Sequence, residues 1–265
     1  MRARSSTVST VLCTALSGAL STGRSALLAA LDLALPAECA GCGLVPGLLC
    51  RNCVAALAAP ARPAWPRPSP AGLPPPWAIA GYDGPVRAAL LAHKEQGCTA
   101  LARPLGGALA RSVRAALAST EEKGAPSDQL PAGRAGGVVL VPMPSRRGAV
   151  RERGRDPTLA IARQAAQLLR GEGKDASVRP VLRMADTVQD QSGLDAQARA
   201  ANLRGAVLLP DRWVAGLSHD GTRVILVDDI ITTGATLAAA AVTLRRTGIE
   251  MVGAALVAAT RRRTP

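Results

Sequence analysis

Residues Val224–Thr236 read VILVDDIITTGAT: four apolar residues, two adjacent carboxylates, two more apolar residues, then a turn with three threonines and a glycine. Asp228 and Asp229 repel each other when charged, so each needs a hydrogen-bond donor or a cation. Sugar hydroxyls can supply donors and Mg2+ can supply charge. The turn after them offers main-chain N–H groups at a helix start, together with the hydroxyls of Thr232, Thr233 and Thr236. Gly234, between Thr233 and Ala235, lets a phosphate come close to the backbone. Acceptors for sugar hydroxyls and a phosphate cradle, only a few residues apart, suit a ribose 5-phosphate. The plainer alternative is a buried strand with an acidic cap and a turn.

A second group of reactive side chains lies near the start. Cys39, Cys42, Cys50 and Cys53 occur in CAGCGLVPGLLCRNC, two C-x2-C pairs separated by seven residues. Each pair sets two thiolates on one tight turn, and two such turns close a tetrahedral four-sulfur site. We read this as a structural Zn2+ knuckle, since four thiolates leave no open coordination position. Two disulfides or a redox pair are the other readings, and disulfides need an oxidising compartment. Cys13 and Cys98 have no patterned partner and read as small buried or half-buried residues.

These side chains need elements to hold them. Val224–Val227 is a continuous apolar run, as expected of a strand buried on both faces. In an open parallel sheet, ligands bind beyond the carboxyl ends of the strands, which puts Asp228 and Asp229 at the ligand edge. Further strands are expected at Trp77–Tyr82, Gly137–Pro144, VRPVLRM (Val178–Met184) and EMVGAALVAAT (Glu250–Thr260). Helices are expected from Asp83 or Gly84 to Lys94, over Leu101–Leu117 and Thr158–Leu169, in LDAQARAANLRG, and in ATLAAAAVTLRRTG up to Gly248. Strands alternating with helices predict an α/β fold, a mostly parallel twisted sheet with helices on both faces. A short helix over Ser25–Pro36 is also expected. Ala59–Trp77 holds eight prolines in nineteen residues and reads as a stiff linker. The expected organisation is an N-terminal segment 1–35, the cysteine module 36–58, the linker 59–76 and a main α/β domain 77–265.

The 265 residues carry a formal charge of +13, which attracts phosphates on a nucleotide, a nucleic acid or a membrane; a coding bias towards arginine explains it equally well. With no Phe, one Tyr and three Trp, the core must be aliphatic. No apolar run reaches the ~18 residues of a membrane helix, so stable membrane insertion is not expected. Arg2 and Arg4 ahead of VLCTALSGAL loosely suggest an export signal, but no clean small-x-small cleavage site follows, and a cytoplasmic location is expected. Ser218–Asp220 (SHD) is not a hydrolase triad, because consecutive residues cannot stack as nucleophile, base and orienter.

The VDDIITTGAT stretch resembles the 5-phosphoribosyl-1-diphosphate (PRPP) signature of type I phosphoribosyltransferases. Four cysteines, then YDGPVRAALLAHK, VPMPSRRGAVRERGRDP, QSGLDAQARAANL and VILVDDIITTGAT, in that order, resemble the ComF family of phosphoribosyltransferase-like proteins, associated with DNA uptake in competent bacteria. The resemblance covers about Pro36 to Thr260, and implies a type I phosphoribosyltransferase fold and Mg2+-dependent transfer of a phosphoribosyl group to an unidentified acceptor. It gives Asp228 and Asp229 the ribose hydroxyls and the catalytic role, and Ile230 and Thr232–Thr236 the surroundings of the 5-phosphate.

Pyrophosphate is expected at Pro142, Met143, Pro144 and Ser145, backed by Arg146, Arg147, Arg151, Arg153 and Arg155. Those arginines could equally contact a DNA backbone or form a solvated basic loop. The chain has RGRDP where the family usually has R-G-F-N-Q. Lys94 is a further phosphate contact or an exposed surface lysine. Gln191, Arg199 and Asn202 are candidates in a hood over the site. Thr232 stands where purine-salvage relatives carry a carboxylate base, which argues against a 6-oxopurine acceptor. The alternative implied function is PRPP binding without catalysis, with single-stranded DNA or a DNA-uptake helicase as partner. The sequence does not give the oligomeric state.

Overall fold

The computed structural model describes residues 38–121, 137–145, 147–185, 207–214, 217 and 222–260. The expected N-terminal helix, Arg146, the hood candidates Gln191, Arg199 and Asn202 with their helix, and Ser218–Asp220 lie outside the described residues.

Among the described residues, six strands form the main sheet: β1 (Arg62–Pro63), β2 (Pro76–Gly81), β3 (Val138–Pro142), β4 (Ala176–Val178), β7 (Arg223–Ile231) and β8 (Met251–Ala259). Their order is β1-β2-β8-β7-β3-β4, and only the β1–β2 pair is antiparallel. Helices α2 (Gly84–Lys94), α3 (Ala102–Glu121), α5 (Pro157–Gly171) and α6 (Ala235–Arg246) cross between strands, and α1 (Arg51–Leu57) and α4 (Arg147–Arg153) are short. A separate ribbon pairs β5 (Arg183–Met184) with β6 (Val207–Leu208). The expected α/β class with a mostly parallel sheet is therefore the observed one.

Alternation along the central strands divides the core in two, because successive side chains leave a strand on opposite faces. Val138, Leu140, Ile225 and Val227 pack with Leu90, Leu105, Leu109, Ile161 and Leu169, under α2, α3 and α5. Val139, Val141, Val224 and Leu226 pack with Leu182, Val207, Leu237 and Leu244, under α6 and the ribbon. Without Phe to fill space, the layers close through small residues. A Cβ added to Gly106 of α3 would lie 2.4 Å from Gln164 Cβ and 3.1 Å from the Ile161 carbonyl of α5. Ser112, fully buried on α3, donates to the Leu256 carbonyl at 2.7 Å and so satisfies its hydroxyl against the sheet.

Several local expectations differ from the structure for identifiable reasons. VRPVLRM is not one strand: β4 ends at Val178 and β5 begins only at Arg183. Pro180 lies between them and has no N–H to continue a ladder. The basic stretch after Ser145, read as a loop, contains the helix α4. The acids of β7 are not at its tip, because the strand runs on to Ile231 and pairs with Ala258 and Ala259 of β8.

The proline-rich residues do more than span a gap. Arg62–Pro63 pairs with Trp77–Ala78, Leu73 and Pro74 are buried, and the Gly72 carbonyl accepts from Arg245 of α6 at 2.8 Å. The cysteine module packs against the main core as well, where Leu57 of α1 is buried with residues of α2 and α3.

Candidate functional site

β7 carries Asp228 and Asp229 level with Leu256 and its neighbours on β8, two to three residues before the strand ends. Asp229 is buried and its Oδ2 accepts from Lys94 Nζ at 2.9 Å. Lys94 is the last residue of α2, and its side chain keeps about a third of its surface exposed (34%). Burial works against the lysine's charge, but the Asp229 carboxylate outweighs it and raises the Lys94 pKa. Asp228 is half-buried, and its Oδ1 accepts from the Asp229 main-chain N–H at 2.8 Å. Burial, and then repulsion from Asp229, raise the Asp228 carboxyl well above the usual carboxylate range. The pair is thus held by one lysine and one main-chain amide, and the ionised form of Asp228 is disfavoured.

This has a testable consequence. An acid whose folded pKa lies above its unfolded value weakens the fold once the pH exceeds the unfolded value, about 4 for Asp. Asp228→Asn keeps an oxygen for the Asp229 amide and removes the ionisation. It is expected to raise Tm at pH 7 by about 2–4 °C, the shift that ~1 kcal/mol makes in a domain of this size. The gain should shrink as the pH falls towards 4. Thermal melts over that range check it.

The turn after β7 has the backbone that an anion cradle requires. Gly234 caps α6 in the left-handed region, with φ 73°. Thr232 and Thr233 are exposed, Ala235 and Thr236 half-buried, and the Ala235 N–H points to Thr233 Oγ1 at 3.4 Å. Ile230 is half-buried and packs on the core, so its side chain positions the strand.

The last turn of α2 ties this centre to the basic segment. Buried His93 has Nδ1 3.0 Å from the Cys98 carbonyl and Nε2 3.3 Å from the Pro157 carbonyl. Burial lowers its pKa, while the two carbonyls work in the other direction; a neutral ring can donate to only one of them. The His93 carbonyl accepts from Arg155, and Glu95 pairs with Arg153 at 2.7 Å. Arg153, expected as a free cation behind the pyrophosphate, is therefore engaged with Glu95. Lys94 was readable in the sequence only as a phosphate contact or a surface lysine. Its ion pair with an acid 135 residues away had no local signal.

Pro142, Met143, Pro144 and Ser145 line a cavity of about 320 Å3 beside the sheet edge. Ser145 Oγ donates to Asp156 Oδ1 at 3.2 Å, and the same oxygen accepts from Leu159 N–H as the N-cap of α5.

At the other end of the chain, the sulfurs of Cys39, Cys42, Cys50 and Cys53 all lie within 4.8 Å of one another. Cys42 Sγ and Cys50 Sγ are 3.8 Å apart, about the edge of a tetrahedron of Zn–S bonds and far beyond a disulfide. The Cys50 N–H also donates to Cys39 Sγ at 3.2 Å, a bond that favours a thiolate. Burial alone would raise the Cys39 thiol, but the surrounding amides bring it down to about 6. The donor set fits a four-sulfur metal site, consistent with a zinc knuckle.

Residues 159–265 match the family model described as "Phosphoribosyl transferase domain". A 42-residue stretch is 50% identical to the adenine phosphoribosyltransferases of Mycobacterium avium (strain 104) and Mycolicibacterium paratuberculosis (strain ATCC BAA-968 / K-10), covering 16% of this chain and 23% of each relative. The match to these relatives thus spans about a quarter of their length. Among the described residues, no helix is long and apolar enough to cross a membrane.

Proposed function

We propose that this chain is a ComF-type phosphoribosyltransferase that binds PRPP with Mg2+ and transfers its phosphoribosyl group to an acceptor. Asp228 and Asp229 hold the ribose 2- and 3-hydroxyls, and the turn Thr232–Thr236 holds the 5-phosphate at the start of α6. The observation that carries the reading is the acid pair on β7, followed within five residues by a glycine-capped, threonine-lined helix start. Lys94 is the counter-ion to Asp229. Once the sugar hydroxyls engage the acids, the same ammonium is free to stabilise the charge that builds on departing pyrophosphate. Mg2+ would supply charge to the diphosphate, and Zn2+ in the cysteine knuckle would be structural. The phosphoribosyl transferase match and the adenine phosphoribosyltransferase relatives support this class of ligand.

Calorimetry with PRPP and Mg2+, together with pyrophosphate release over a panel of nucleobases, tests the proposal. PRPP binding is expected in the wild type, and Asp229→Asn should weaken it by about tenfold or more, the loss of ~1.4 kcal/mol of charge-assisted hydrogen bonding. Unchanged affinity in that variant would remove the acids from the site. Tight binding with no release from any acceptor would favour the non-catalytic alternative, a PRPP-responsive protein of DNA uptake. The charge of +13 would then serve contacts to a single-stranded DNA backbone.

A further inference from the structure

The end of α2 sets an acid among cations. Glu95, the C-cap of this helix, has Oε2 2.7 Å from Nη2 of Arg153, the last residue of α4. Glu95 is exposed and Arg153 half-buried, so solvent reaches the pair. The two residues before Glu95 engage two more cations. Lys94 pairs with Asp229, and the His93 carbonyl accepts from Arg155 Nη2. Arg155 Nη1 is buried with no hydrogen-bond partner among the described residues. Burial and the neighbouring Arg153 lower the Arg155 pKa, while Glu95 works the other way. Against burial, Asp229, Asp228 and then Glu95 favour the charged form of Lys94. One carboxylate thus acts on three cations, on Arg153 by direct contact and on the others through space.

A highly charged diphosphate is bound by gathered guanidinium and ammonium groups. Cations gathered in this way repel one another, as Arg153 and Arg155 do. A carboxylate in contact with Arg153 relieves that repulsion. The same carboxylate opposes a diphosphate, because it takes up guanidinium donors and repels the phosphate charge. An ion pair this exposed is weak enough to exchange.

Resting on the phosphoribosyl-transfer reading, we propose that Glu95 is an internal competitor for the diphosphate of PRPP, holding Arg153 in an ion pair that the diphosphate must displace. Glu95 touches no ligand and acts through Arg153. Its effect is confined to ligands that carry a diphosphate, since the ribose hydroxyls and the 5-phosphate are held elsewhere, at Asp228, Asp229 and the Gly234 turn. It also favours release of the product: as pyrophosphate departs, Glu95 recaptures Arg153.

Calorimetry at fixed ionic strength with three probes tests this: PRPP with Mg2+, inorganic pyrophosphate with Mg2+, and ribose 5-phosphate. Glu95→Gln should tighten PRPP and pyrophosphate about three- to fivefold, the scale of an exposed ion pair, and leave ribose 5-phosphate unchanged. Most of that gain should vanish in an Arg153→Gln background. Glu172→Gln controls for net charge. It removes an acid paired with Arg114 at 2.6 Å, at the far end of α5, about 22 Å along that helix, and should change none of the three affinities. The proposal is overturned, and the PRPP reading stands, if PRPP binds but Glu95→Gln leaves it unchanged or weaker. The same holds if ribose 5-phosphate or the Glu172→Gln control shows an equal gain, or if the full gain persists with Arg153→Gln. If the wild type does not bind PRPP at all, both fall.

Discussion

Gly234→Ala is expected to weaken PRPP binding about 100-fold, a loss of ~2.7 kcal/mol. Two separate effects produce it. The residue has φ 73°, where an L side chain costs ~1–2 kcal/mol. Its new Cβ would also lie 3.1 Å from Leu73 Cδ2, 3.2 Å from Pro66 Cγ and 3.4 Å from Ile231 Cδ1. Relief of either strain moves the turn and misdirects the amides at the start of α6, which act on a phosphate only while they converge. Adding Leu73→Ala separates the causes. If contact dominates, the double variant should recover much of the affinity; if backbone conformation dominates, it should recover little. Calorimetry on the four proteins of the cycle, with thermal melts to confirm folding, measures this. Wild-type affinity in Gly234→Ala would mean that the turn does not hold the ligand.

The contact partners of Gly234 mark where the sequence was readable and where it was not. The acids, the threonines and the glycine form one local string, and their chemistry follows from type and order. The same holds for the four cysteines, for the alternation of strands and helices, and for the stop of α6 before Gly248. Leu73 and Pro66 come from a stretch whose composition suggests only a stiff connector. That they lie against the Gly234 turn, some 160 residues later, depends on β1 and β2 joining the edge of the sheet, and no periodicity encodes it. The Lys94–Asp229 pair was hidden for the same reason. The end of β7 was misplaced because two acids look like a terminus. Main-chain pairing with β8 continues regardless of the side chains, and a hydrogen bond from Thr260 N–H to the Ile231 carbonyl closes the ladder at 2.9 Å. The split of Val178–Met184 could have been foreseen from Pro180.

Disrupting the four-cysteine site should have the other large effect, on stability rather than binding. Cys53 is buried on α1, and a Cβ added to Gly41 would lie 2.7 Å from its sulfur and 3.3 Å from Pro85 Cβ of α2. The sulfur cluster therefore sits directly against the main domain. A few residues further on, Leu57 is built into the core shared by α2 and α3. Cys53→Ser, or a strong chelator, is expected to release about one Zn2+ per chain and lower Tm by at least about 5 °C, because metal binding to the folded form alone adds directly to folding free energy. The pH dependence has a definite sign. Burial raises the Cys53 thiol, while the Cys39 thiol sits at about 6, so near neutrality at least one proton must leave as metal binds. Zn2+ affinity should rise with pH across this range, and the chelator concentration needed for half release should rise with it. If Tm and metal content are unchanged in Cys53→Ser, the cysteines hold no structural ion; a release that is independent of pH would mean that all four thiols are already ionised. An intermediate result is also informative: if metal is lost without a shift in Tm, the knuckle is a peripheral module, and the packing of Leu57 between α2 and α3 persists without the sulfur site beside it.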